Sequence, residues 1–80
     1  MIKGLEIYHK NKIIKTIYYN RRIYTLYIEF DNDVVLSFYP VNKITVSEFK
    51  REKDWYKYYK HHIKDRDNCK ISVVSKEDIW

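Results

Sequence analysis

The first half of the chain alternates apolar and polar positions in short runs separated by polar clusters, the pattern of strands joined by tight turns. The runs are Leu5 to His9, Ile13 to Tyr19, Ile23 to Phe30 and Val34 to Tyr39. The last two form the best-determined hairpin, around Asp31-Asn32-Asp33. A three-residue loop there opposes Phe30 with Val34, Ile28 with Leu36 and Leu26 with Phe38 on one face. A one-residue slip would set Ile28 against Ser37, so the pattern selects the register. A three-residue loop at Asn20-Arg21-Arg22 likewise places Ile14, Thr16 and Tyr18 on the core face, because the two-residue alternative turns Lys15 inward. Leu5 and Ile7 join the same face through the Asn11-Lys12 turn. Pro40 cannot donate to a ladder and closes the fourth strand.

The period then changes. Thr45 with Glu48 forms a capping box, and Ile44 is placed to staple onto Phe49. From Val46 the pattern is helical to Ile63 or Lys64. At ~100° per residue, Phe49, Tyr56, Ile63, Tyr59 and Trp55 share an apolar arc of about 120°, wide enough to cover one sheet face. Glu52 falls inside that arc. It is expected to tilt toward solvent or bond a tyrosine hydroxyl; the functional alternative is a carboxylate of raised pKa. Asp67-Asn68 supplies a turn, Lys70 to Ser75 a last strand, and Lys76 to Trp80 a tail of unassigned state. The expected fold is α+β: a four-stranded antiparallel β-meander followed by one amphipathic helix and a short C-terminal strand, a single domain over residues 1–80.

Charge adds a surface to this picture. Sixteen Lys and Arg against eleven Asp and Glu leave a net +5, which suits an anionic partner. On the expected helix, Lys50, Lys53, Lys57, Lys60 and Lys64 line a stripe about 80° wide and ~21 Å long, with no glutamate interleaved. That is either a solvated face or a track for phosphates, with Arg21 and Arg22 at a hairpin tip extending it. Lysine meets phosphate as a point charge, so such binding is expected to be weakly sequence-specific.

One helix covers one face of the sheet. In the registers above, the other face carries Ile13, Ile17, Tyr19, Ile23, Tyr27, Val35 and Tyr39. Left bare, it would mark an interaction site, with Tyr19, Tyr27 and Tyr39 as contact residues for protein, a second copy of the chain, or unstacked bases. A curled sheet or a C-terminal segment folded across it would cover the same face without any partner. Trp80 either packs back onto the domain or anchors a partner.

Composition narrows the class. At 45% apolar and 18% aromatic residues the chain is too rich in core formers for a disordered tail. Ile, Lys, Asn and Tyr are abundant, Ala and Gln are absent, and Gly and Pro occur once each. These are AT-rich against GC-rich codons, as in low-GC bacteria, their phages and plasmids, and some archaeal viruses, which points toward a small mobile-element accessory protein. Cys69 stands alone, so no internal disulfide forms and a reducing compartment is expected. No signal peptide or membrane span is evident, so a cytoplasmic location and no membrane partner are expected.

Candidate chemistry is sparse. A single glycine excludes glycine-rich phosphate loops. His61, Asp65 and Cys69 match no metal-ligand spacing, and no metal or cofactor is expected. His61 and His62 beside lysines permit one enzymatic reading, a small metal-free ribonuclease toxin. The leading expectation is a non-enzymatic binding protein. It takes the form of an anti-CRISPR-like inhibitor acting on nucleic acid or a nucleoprotein complex such as a CRISPR effector. The alternative is a stand-alone, weakly sequence-specific DNA- or RNA-binding regulator. A homodimer through the second sheet face is the further expected partner.

Overall fold

The computed structural model describes residues 4–10, 12–64 and 69–79. Five strands form one antiparallel sheet in sequence order: β1 (Leu5–His9), β2 (Ile14–Asn20), β3 (Thr25–Phe30), β4 (Val35–Tyr39) and β5 (Lys70–Val74). Two helices interrupt the meander between β4 and β5. They are α1 (Lys43–Arg51) and α2 (Trp55–Tyr58), the latter running on as a π-helical turn, Tyr59–Ile63. A 3₁₀ turn, Lys76–Ile79, follows β5. The architecture is the expected α+β domain, a helical layer on one sheet face, with β5 extending the four-stranded meander.

The β3–β4 hairpin has the expected register, with Leu26 opposite Phe38 and Ile28 opposite Leu36. Its three-residue loop closes through Asp33 N–H donating to the Phe30 carbonyl (3.0 Å), with Asp33 itself left-handed at φ 67°. The β2–β3 connection differs from expectation. Asn20 pairs with Thr25, so the loop is Arg21–Tyr24, one residue longer. The Asn20 side-chain oxygen accepts from Arg22 N–H (3.1 Å), and Tyr24 turns left-handed at φ 52°. A bulge between Ile14 and Thr16 adds a second irregularity. The longer loop inverts Thr16 to Asn20, and the bulge returns Ile14 to the expected side. Ile17 and Tyr19 face the helices beside Ile14, while Thr16 and Tyr18 point to the opposite side. Leu5 and Ile7, paired opposite Asn20 and Tyr18, follow Tyr18 to that second face.

The helical layer also departs from a single rod. Asn42, not Thr45, caps α1, accepting Thr45 N–H on its side-chain oxygen at 2.8 Å. The staple positions are therefore Val41 and Val46, both buried, whereas Ile44 is 71% exposed. Glu52 adopts an extended backbone at φ −70°, ψ 141° and ends α1. Asp54 starts α2 by accepting Lys57 N–H at 3.1 Å. Two cross-links hold this break: Trp55 Nε1 donates to the Lys50 carbonyl (3.4 Å), and Lys10 Nζ donates to the Glu52 carbonyl (2.5 Å).

The apolar arc survives the break. Phe49, Trp55, Tyr59 and Ile63 are buried against Ile14, Ile17, Tyr19, Leu26, Ile28 and Phe38. Tyr59 sets its ring edge-on to Phe30 and Phe38 at 5.3 and 5.9 Å. Glu52, freed from the helix, is exposed and outside the core.

A basic groove at the helix break

The interruption between α1 and α2 makes a concave surface from what a continuous helix would present as a convex stripe. A groove of about 900 Å³ opens there, lined by Arg51, Lys53, Lys57, Tyr58, His61 and His62 together with the carboxylates Glu52 and Asp54. Lys57 and His61 are one turn apart, as are Tyr58 and His62, so the two pairs line one wall. The Tyr58 and His62 rings lie 4.5 Å apart, and Tyr58 stacks on Phe49 at 5.2 Å, which fixes the wall to the core. Arg51, Lys53 and Lys57 outnumber the two carboxylates. Asp54 also accepts the Lys57 backbone N–H, which partly satisfies its charge.

The five lysines of the expected stripe are redistributed. Lys53 and Lys57 line the groove. Lys50 is half-buried and lies over the Tyr8 ring, 4.9 Å from its centroid. Lys60 covers Tyr56 at 4.7 Å, and Lys64 is exposed beyond the π turn. Arg21 and Arg22 are exposed but sit elsewhere. Arg21 N–H donates to the Gly4 carbonyl (3.2 Å), and Gly4, at φ 88°, has no side chain to meet the Arg22 stem. α1 runs along β1 from Lys43, ion-paired with Glu6, to Lys50 at Tyr8. The arginines therefore belong to its start and the groove to its end, ~13 Å of helix apart.

The tyrosine face is likewise rearranged. Tyr19 is fully buried on the helix side, its hydroxyl donating to the Val41 carbonyl at 2.7 Å. Tyr27 is on the second face but buried with Tyr18, Val35 and Ile79. Tyr39 is about half exposed (49%). Trp80 lies outside the described residues, as do Asp65, Arg66 and Asp67. Among the described residues, no group of three or more His, Cys, Asp or Glu gathers to hold a metal. Likewise among them, no helix is long and apolar enough to cross a membrane.

That second face holds a buried carboxylate. Glu29 accepts from the Tyr18 hydroxyl at 2.9 Å and meets Lys76 Nζ at 3.4 Å. Burial, and then the bond to Glu29, push the Tyr18 hydroxyl up to about 12. On the helix side, burial and the Glu6 carboxylate push Tyr8 up to about 12 as well. Glu6 is drawn upward by burial, yet the bonds from Lys43 and Tyr8 hold it below the usual carboxylate value.

Residues 10–66, from the end of β1 through the π turn, match the model of a known domain family. The chain belongs to the KTSC domain family. No curated protein and no solved structure matches it. The KTSC segment contains β2–β4, α1, α2 and every groove residue, while β1, β5 and the 3₁₀ turn flank it.

The helical spacing of the sequence places Arg51, Tyr58 and His62 on no common face with the lysines. The signal that finds them is Asp54 three residues before Lys57, a second N-cap inside the apparent helix.

Proposed function

We propose that this KTSC domain is a non-enzymatic nucleic-acid-binding module whose basic groove takes a single strand of RNA or DNA. The observation that carries the reading is the concave wall in which Arg51, Lys53 and Lys57 surround the Tyr58–His62 ring pair. Cations track phosphates, and rings offer faces to unstacked bases. A duplex hides its bases and needs a protruding element to enter a groove, whereas this surface is recessed. Lys60 resting on the part-exposed Tyr56 ring nearby favours the same ligand. A lysine over an exposed tyrosine is worth about 0.5–1 kcal/mol, while a stacked base is worth about 1–3 kcal/mol. A base therefore displaces the lysine, which then turns to phosphate.

The anti-CRISPR-like inhibitor uses the same groove but also needs a docking face. With Tyr19 in the core and Tyr27 covered, Tyr39 is the exposed member of that tyrosine set among the described residues, so the stand-alone binder leads. A second reading rests on His61 and His62 sharing the groove, where they would act as general acid and base on RNA.

Fluorescence anisotropy with labelled single-stranded RNA, single-stranded DNA and duplex DNA, across a salt series, tests this. Three phosphate contacts on a single strand predict a slope of log K against log salt near about −2. Lys57→Ala should flatten it by about 0.7, and Arg21→Ala should leave it unchanged. Absence of binding at low salt, or preference for duplex, overturns the reading. Shortening of the RNA during the titration, abolished by His61→Ala, would establish the ribonuclease instead.

A further inference from the structure

A second, smaller cavity of about 360 Å³ lies on the other flank of the α1–α2 linker, and Lys53 and Asp54 line both it and the groove. Its lining differs in kind. Lys10, Lys12 and Lys53 supply ammonium groups, while Ile13, Trp55 and Tyr56 supply apolar surface. Ile13 is 48% exposed, so this large aliphatic side chain adds little to the core and leaves a sticky wall beside the lysines. Lys10 is already committed: its ammonium bonds the Glu52 carbonyl and covers the Trp55 ring at 4.8 Å, which fixes the linker between the two cavities. Lys12 and Lys53 are exposed. Tyr56 is half-buried, stacked on Tyr59 at 6.1 Å, and Lys60 rests on its ring.

We infer that this cavity is a nucleotide subsite of the same strand-binding surface. One base sits between Ile13 and Tyr56, displacing Lys60, and its phosphate lies between Lys12 and Lys53. The inference rests on the single-strand reading and extends it. The bound strand crosses the linker at Lys53, so the site takes at least two nucleotides in a bent path. The volume is at the lower end of the range for small-ligand sites, suited to one nucleotide.

The test titrates the full chain with a labelled oligothymidine and with the same strand carrying one abasic position moved along its length. At one position, loss of the base should weaken binding to the unmodified protein about fivefold or more. That penalty should vanish in Tyr56→Ala and in Ile13→Asp. The second variant keeps the test valid where the half-buried tyrosine is needed for folding. Lys57→Ala should weaken every strand yet keep the abasic penalty. An undiminished penalty in both pocket variants overturns the subsite while leaving the groove intact, and no penalty at any position overturns the subsite together with base stacking in the groove. Failure of all strands to bind the unmodified protein removes the groove reading and the subsite with it.

Discussion

The two faces of the sheet are built on different principles. The helix-covered face is apolar throughout, and its buried side chains, from Ile14 to Ile63, all lie inside the KTSC segment. The second face mixes polar and apolar groups: Thr16, Glu29, Asn20 and Thr25 are buried there with Tyr18, Tyr27 and Val35. Leu5, Ile7 and Val74 extend it on the flanking strands and the 3₁₀ turn with Ile79 packs against it, all from outside the KTSC segment. The first face holds the fold by packing. The second holds it by a thin lid and a satisfied carboxylate, since a buried Glu29 without partners would be costly.

The largest expected effect strikes the first face. Phe49→Ala removes a ring that meets both Trp55 and Tyr58 and should cost about 3–5 kcal/mol, read by urea denaturation. It should also empty the groove wall. Ile79→Ala on the second face should cost less, about 2–3 kcal/mol, because Leu5, Ile7 and Val74 around it are only partly buried. Equal losses for the two variants would erase the contrast between core and lid.

Tyr18→Phe probes the polar side of that contrast and should cost about 1.5–2 kcal/mol, the value of a hydrogen bond to a charged group. Its pH signature has a definite sign. Tyr18 and Tyr8 both titrate at about 12 in the folded chain, above the ordinary value of 10.0. Their contribution is therefore fully present below pH 10 and is lost as pH rises toward 12. Thermal melts across that window should show a steep alkaline loss that Tyr18→Phe reduces and Tyr8 sustains. A profile identical to the unmodified chain would remove Glu29–Tyr18 as a stabilising pair.

The smallest effect discriminates two adjacent candidates for one cap. Asn42→Ala should cost about 1 kcal/mol, and Thr45→Ala less than about 0.5 kcal/mol. The reverse order would restore the capping box at Thr45 and Glu48.

Much of the fold is legible locally. Strand positions follow from the two-residue period, the β3–β4 register from three matched apolar pairs, and the buried set Phe49, Trp55, Tyr59 and Ile63 from helical spacing. The candidate site is less so. Lys53 and Lys57 were visible as charge, but their neighbours Arg51, Tyr58 and His62 come together only because the helix breaks.

The chain's own pattern thus determined which segments are strands or helices and which helical residues are buried, since those depend on periodicities within a single element. The tertiary structure decided the facing of β2, where one extra loop residue sends Tyr19 inward and Tyr18 outward and a bulge returns Ile14 inward. It also decided where the helix stops. Asp54 offers a local cap for a second helix, but nothing local forbids a helix through Glu52. The break is held by the Lys10 bond to its carbonyl and by burial of Trp55, contacts between residues far apart in sequence or across the turn. The groove exists because of that break, so its shape is a property of the packed domain and its charge a property of the chain.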